Sequence, residues 1–343
     1  MERRVGWAIE TVLIHLYFMM TSIRVFWLEY QCIFYVTDEN YFLPTAVSAL
    51  QARKAASAST DVVVVLAEDF KHRAEAAGFC KSTGIILRDG AQILADRFAQ
   101  VDRKDFKARI SIAAMGRLLL WDLLPPHYRQ LIYMDGDTQI VGDLTPLENV
   151  EVPKGRLLAA MDYMSIANAA QTGRPQTYFN SGVLKFDPAD WVGAAAFQYF
   201  TEHGGHLHDQ GALNTVAGDA TIFISNRWNF PRQFLHLAKK RPAIIHFASH
   251  PKPWDGVYFP CSRRQTTVYH EACKPHPSLA HFVLKITPLR RLKYRLRSIG
   301  DRMAYYLPVL GRGTDPEAIR SVVCAGHHDE TALSPCSTAQ VPV

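Results

Sequence analysis

The stretch Leu131-Ile132-Tyr133-Met134-Asp135-Gly136-Asp137-Thr138-Gln139-Ile140-Val141 ends a short apolar run on two carboxylates one residue apart. A short run rich in β-favouring residues reads as a buried parallel strand. Asp135 and Asp137 then fall at its carboxyl end, where open α/β sheets bind ligands. If the chain stays extended, residues two apart point the same way, and both carboxylates can face one cation. Gly136 has no side chain to block a close ligand. Two hard oxygen ligands suit Mg²⁺ or Mn²⁺ shared with substrate phosphates. The plain alternative is a turn, in which an Asp only caps the following backbone N–H groups.

Other reactive residue types are scattered. Arg117 falls inside an apolar helical stretch, Ile110 to Leu123. A buried arginine needs a partner, either an acidic or phosphate-bearing ligand or a structural ion pair. His206, His208, His246 and His250 lack the spacing of a closed zinc site. The six cysteines include no Cys-x-x-Cys pair, which argues against a redox or zinc motif. They suggest no disulfide framework, so a reducing compartment is expected. The Asp pair also resembles the Asp-x-Asp-Gly-Thr start of the aspartyl phosphatases. The fourth place after Asp135 holds Gln139, however, and Thr138 comes one place early.

The elements that must position these residues read as an α/β protein. The 343 residues suffice for one large domain or two small ones. About half the chain is apolar, a fifth is charged, and the net charge is +6. Gln31 to Val36 reads as the first core strand, running into a polar loop, Thr37 to Tyr41. Leu43 to Ala52 follows as a helix. Asp61 to Ala67, with four consecutive valines, is the clearest buried strand. Phe70 to Ala77 reads as a helix stopped by Gly78, and Gly84 to Leu87 as a third strand. That alternation implies parallel strands with right-handed crossovers. Leu157 to Met161 is a strand ending at Asp162. Tyr178-Phe179-Asn180-Ser181-Gly182-Val183 puts a polar triplet ahead of a strand, and His208 to Asn214 opens a short helix. Ala243 to Phe247 is a strand carrying His246.

In this order the pieces resemble glycosyltransferase family 8, the retaining sugar-nucleotide transferases of GT-A fold, from about Cys32 to Trp254. Four motifs carry the likeness: Asp135-Gly136-Asp137, Tyr178 to Val183, Asp209-Gln210, and His246 with Lys252-Pro253-Trp254. It is nearest to the bacterial lipopolysaccharide galactosyl- and glucosyltransferases. The resemblance implies a GT-A domain with a mixed central sheet over residues 31–284. It implies UDP-galactose or UDP-glucose as donor, and a glycan or lipid-linked saccharide as acceptor. Asp135, Asp137 and His246 match the family's metal ligands, for Mn²⁺ or Mg²⁺. Thr37, Asp38 and Asn40 match the loop holding uracil and ribose. Arg117 matches an arginine at the donor sugar and its phosphates, Asp162 and Asn180 residues around that sugar, and Asp209 and Gln210 the pair beneath its reacting carbon. Lys252 matches a lysine on the diphosphate. Ser249 replaces a glycine whose N–H would meet a phosphate, so glycine's freedom at positive φ is lost there. A binder of sugar nucleotides without turnover is the remaining alternative within this likeness.

The two ends have a different character. Residues 1–30 are basic and then largely apolar, but Glu10, His15 and Arg24 interrupt them. The unbroken part is well short of the roughly 20 residues a spanning helix needs. A surface helix, or sequence ahead of the true start, is favoured over a membrane anchor. Between residues 285 and 310, Lys285, Arg290, Arg291, Lys293, Arg295, Arg297 and Arg302 interleave with leucine and tyrosine. A basic amphipathic segment implies peripheral attachment to an anionic membrane surface, here the cytoplasmic face. A solvated helix face is the plain reading, and no nucleic-acid recognition motif is present. Residues 311–343 show little periodicity and are expected to be poorly ordered.

Overall fold

A computed structural model describes residues 30–99, 101, 111–172, 178–203, 208–306 and 316–324. Seven strands form the main sheet: β1 (Tyr30–Thr37), β2 (Thr60–Leu66), β3 (Ile86–Asp89), β4 (Tyr128–Met134), β6 (Leu157–Met161), β7 (Phe179–Phe186) and β8 (Thr221–Ile224). Their order is β3-β2-β1-β4-β7-β6-β8. Neighbours are parallel except at β7, which runs against both β4 and β6. A small second sheet, β5 (Thr138–Ile140), β10 (Ile244–His246) and β9 (Phe230–Pro231), lies beyond the end of β4.

Burial on both faces explains the unbroken apolar runs. Ile33, Val62, Val64, Ile132 and Met134 feed one core, while Phe34, Val63, Val65, Leu131 and Tyr133 feed the other. Alternation along a strand sends neighbours to opposite faces, so a strand covered on both sides must be apolar throughout. The longer helices are α1 (Phe42–Ala55), α2 (Arg73–Thr83), α3 (Ala91–Phe98), α4 (Tyr163–Thr172), α5 (Gly193–His203), α6 (His208–Ala217), α7 (Arg263–Cys273), α8 (Pro288–Tyr306) and α9 (Pro316–Cys324).

Several expectations shift. Gly78 lies inside α2, and the helix ends at Gly84, whose φ of 68° is left-handed. Glycine alone takes that cap without strain. The stretch expected as one helix to Leu123 is three single turns, Ile112–Met115, Gly116–Leu119 and Leu120–Leu123. The polar triplet Asn180-Ser181-Gly182 sits within β7 rather than ahead of it. Residues 1–29 and most of the tail lie outside the described residues, but α9 falls within that tail, with Ile319 buried beside Ile166 of α4. Among the described residues, no helix is long and apolar enough to cross a membrane.

Candidate functional site

Asp135 is the first residue past β4, and its N–H donates to the Gly182 carbonyl of β7 at 2.8 Å. The chain turns at once: Thr138 N–H and its Oγ1 both return to the Asp135 carbonyl. β5 then pairs antiparallel with β10, matching Thr138 to His246. This pairing brings an imidazole more than 100 residues distant onto the two carboxylates. His246 Nε2 lies 3.5 Å from Asp135 Oδ2 and 3.2 Å from Asp137 Oδ1. One ligand atom from each of the three residues lies within 4.8 Å of the others. The turn is formed, and it is this turn that brings the two carboxylates and the imidazole, the candidate ligands, together.

Two glycines allow this approach. A Cβ on Gly136 would sit 2.1 Å from Thr45 Oγ1, so the turn is pressed against α1. The need for glycine there comes from the protein's own helix. A Cβ on Gly182 would sit 2.2 Å from Cε1 of His246. On its other nitrogen, His246 Nδ1 is 2.9 Å from Asn229 Oδ1, which fixes the ring. A side-chain partner on the far nitrogen is what a metal-ligating histidine requires. One imidazole and two carboxylates suit Mn²⁺ or Mg²⁺.

Charge is closely matched here. Lys252, buried, donates to Asp137 Oδ2 at 2.5 Å and to the Phe247 carbonyl at 2.7 Å. Burial raises the Asp137 carboxyl, but Lys252 and His246 outweigh it and hold it well below the usual carboxylate range. Burial alone would lower the Lys252 ammonium, yet Asp137 brings it above its ordinary value. Arg117 is buried and fully used. Its Nη2 meets Asp135 Oδ1 at 2.8 Å, its Nε lies 3.1 Å from Asp209 Oδ2, and its Nη1 donates to Ser181. The ion-pair reading of Arg117 is therefore realised. Asp209, buried with Asp135 nearby, has its pKa raised, and Arg117 opposes that rise.

Beside this pair lies an amide network. Asn180 Nδ2 donates to Asp162 Oδ2 at 3.0 Å. Gln210 Oε1 accepts from Ser181 N–H at 3.1 Å and from Asn180 Nδ2 at 3.3 Å. Asp162 also caps α4 by accepting from Met164 N–H. Asp135, Asp137, His246, Arg117, Asp162, Asn180, Asp209, Gln210 and Lys252 thus form one connected group. The β1 loop is used differently. Thr37 is buried, and its hydroxyl is spent on the Asp38 carbonyl and on Thr45. Asp38 accepts from Tyr41 N–H and from the Ser111 hydroxyl, while Asn40 is exposed. Ser249 stands at φ 73°, so this serine adopts the left-handed backbone expected to need glycine. His208 is the first residue of α6, next to Asp209 but not among the grouped ligand residues, and His206 lies outside the described residues.

Asn229 had no signal in the sequence. It donates to Asn180 Oδ1 at 2.9 Å while holding His246, and so joins the two halves of the site. Tyr133, whose hydroxyl donates to Asp135 Oδ1 at 2.6 Å, was read only as a strand residue. Tyr41 and Trp254 flank the Lys252 ammonium, each ring centroid 5.7 Å away.

Comparison with known proteins agrees with this geometry. The family model described as "Glycosyl transferase family 8" matches residues 32–257, about two thirds of the chain. The chain belongs to glycosyl transferase family 8. This family 8 chain is 26% identical over 192 residues to general stress protein A of Bacillus subtilis (strain 168), covering 46% of itself and 66% of that protein. It is 27% identical over 157 residues to the glycosyltransferase GlyF of Streptococcus pneumoniae serotype 4, covering 41% of itself and 38% of GlyF. The matches thus span less than two thirds of either relative. Among solved structures, the galactosyltransferase LgtC, complexed with donor and acceptor sugar analogues, superposes with a TM-score of 0.54 at 20% identity. That match covers 77% of this chain and 99% of LgtC. GlyE of Streptococcus pneumoniae TIGR4 gives 0.51 at 18% identity, covering 74% and 63%. These likenesses establish the GT-A fold. Family membership leaves the aspartyl-phosphatase reading of Asp135 without support.

Proposed function

We propose that this family 8 glycosyltransferase moves a hexose, galactose or glucose, from its UDP derivative to a glycan or lipid-linked saccharide, with retention. The observation that carries the reading is the convergence of Asp135, Asp137 and His246, from two sheets, beside the Asp162-Asn180-Gln210 network. Asp135, Asp137 and His246 would hold Mn²⁺ or Mg²⁺, which as a Lewis acid offsets charge building on the leaving diphosphate. Lys252 supplies a second cation to that charge in the transition state. Thr37, Asp38 and Asn40 bound the nucleoside end, with Ser249 offering its N–H to a phosphate. Arg117 holds the Asp135 and Asp209 carboxylates in place. Asp162 and Asp209 stabilise positive charge at the sugar's reacting carbon, as carboxylates do in glycoside cleavage. Gln210 Oε1 already accepts from Ser181 N–H and Asn180. That favours same-face attack over a nucleophilic Gln210.

The second part of the reading concerns place. Leu289, Leu292, Leu296, Ile299 and Met303 of α8 are all exposed, at intervals of three and four residues. That spacing puts them on one helix face. Tyr294 is buried and faces the protein. An apolar stripe flanked by arginines suits an anionic membrane surface, at about 1 kcal/mol per basic residue near the lipid. Residues 307–310 of the basic segment lie outside the described residues. Cys32, Cys80, Cys261 and Cys273 are free thiols, consistent with a reducing, cytoplasmic setting.

The test is incubation with a panel of UDP-sugars and Mn²⁺, reading UDP release with water as acceptor. Release from UDP-galactose or UDP-glucose, lost on chelation, is the expected result. Binding of UDP without turnover, even with a broad glycan panel, would make the protein a sugar-nucleotide binder. Phosphate release from simple monoesters would overturn the transferase reading.

A further inference from the structure

Arg232 is as deeply buried as Arg117 but has none of its partners. It follows β9 directly and is only 3% exposed. Its Nη2 donates to the His250 carbonyl at 3.0 Å and lies 3.5 Å from Ser249 Oγ. Its Nε and Nη1 are closed off from solvent with no hydrogen-bond partner. Among the described residues no carboxylate forms an ion pair with it. The carboxylates of the site have other partners: Asp137 has Lys252 and His246, Asp135 and Asp209 have Arg117, and Asp162 has Asn180. The Cys261 thiol beside it is a weak hydrogen-bond partner of Arg232 and is raised by burial above its ordinary value, with Arg232 opposing that rise, so it offers the guanidinium no carboxylate-like counter-charge. A buried guanidinium with unspent donors is costly unless a ligand completes it.

The surroundings point the same way. His250 Nδ1 and Gln233 Oε1 are also buried without partners. Burial, Lys252, Arg290 and Arg232 together push the His250 imidazole down to about 4. Tyr294 of α8 stacks on His250 at 5.7 Å, and Asp137 opposes the effect of the three cations on that ring. Pro231, next to Arg232, pairs with His246, and Tyr163, next to Asp162, is within electrostatic reach of Arg232. Arg232 thus stands one residue from the position paired with His246 and near the start of the helix that Asp162 caps. Ser249 is exposed, and its hydroxyl lies beside the guanidinium, accepting from Gln233 Nε2 at 3.2 Å.

We propose that Arg232, with the Ser249–His250 segment, forms an oxyanion subsite for a carboxylate or phosphate carried by one of the two saccharides joined. Arginine's planar fork matches either group bidentately. The inference rests on the transferase reading above. The oxyanion has two possible sources, an acidic acceptor or an acidic donor sugar, and the experiment separates them.

In the acceptor arm, transfer from the best UDP-hexose is compared for methyl galactoside, methyl glucuronide and galactose 6-phosphate. In the donor arm, UDP release from UDP-glucose is compared with release from UDP-glucuronate. The expected result is at least a tenfold preference for the anionic sugar in one arm, which names the source. Arg232→Met collapses that preference, and Arg232→Lys retains part of it. A second readout needs no turnover: glucuronate or galactose 6-phosphate raises the melting temperature of the wild type but not of Arg232→Met. Free of ligand, Arg232→Met melts above the wild type, because an unpaired buried charge is gone; a purely structural arginine would give the opposite. No anion preference in either arm with no anion-dependent melting shift, or either effect undiminished in Arg232→Met, overturns the proposal. Melting shifts as predicted without UDP release from any donor would sink the transferase reading and leave the oxyanion subsite standing.

Discussion

Asp137→Asn separates a metal ligand from a turn residue more sharply than its small change of volume suggests. A carboxylate at an exposed strand end would be replaced at little cost. Asp137 is instead the partner of a buried lysine, with the two side chains 12% and 5% exposed and 2.5 Å apart. Removing its charge leaves the Lys252 ammonium buried against a neutral amide. Breaking a buried pair from one side costs about 3–5 kcal/mol. In a domain of this size that lowers the melting temperature by on the order of 10 °C. Deleting both partners removes the uncompensated charge, so Asp137→Asn/Lys252→Met should recover most of the loss. Metal-dependent UDP binding should not recover, because both groups serve the diphosphate. The assay is thermal or urea unfolding of the wild type, both single variants and the double variant without ligand. Titration calorimetry of UDP with Mn²⁺ accompanies it, where loss of at least 100-fold corresponds to roughly 2.7 kcal/mol. An Asp137→Asn protein as stable as the wild type, or a double variant no more stable than the single one, refutes the reasoning. Unchanged UDP affinity in Asp137→Asn removes the metal assignment.

Gly136→Ala should cost about 1–3 kcal/mol through overpacking against Thr45, and Gly136→Ala/Thr45→Ala should recover part of it in urea titrations. His250 gives a pH dependence. Its folded pKa of about 4 lies below the ordinary histidine value, so its stabilising contribution is complete above about 6.5. That contribution falls as pH drops toward 4, because the unfolded chain takes up a proton that the folded one refuses. A His250→Asn variant should show a shallower loss of melting temperature between pH 6.5 and 4. Leu292→Glu/Leu296→Glu on the exposed face of α8 should abolish sedimentation with anionic vesicles and leave UDP release with water as acceptor in place. If that variant still sediments, the stripe is not the attachment surface.

Much of the fold was legible because parallel strands covered on both faces cannot alternate. The runs at Cys32–Val36 and Val62–Leu66 had to be apolar throughout, and that is visible in one dimension. The Asp pair was legible for a related reason: polar groups follow where a buried strand stops. Reversal of β7 was not legible, since its residues are buried on both faces whichever way the strand runs. Tertiary pairing alone decided that His246 meets Asp135 and Asp137, for β5 and β10 are three residues each and more than 100 residues apart. It also decided why Gly136 and Gly182 are glycines, a matter of what packs against them: Thr45 in one case and the His246 ring in the other. Arg117 and Arg232 look alike as letters in the sequence. Only the folded chain gives one of them two carboxylates and leaves the other with none among the described residues, because the partners of a buried charge come from distant segments.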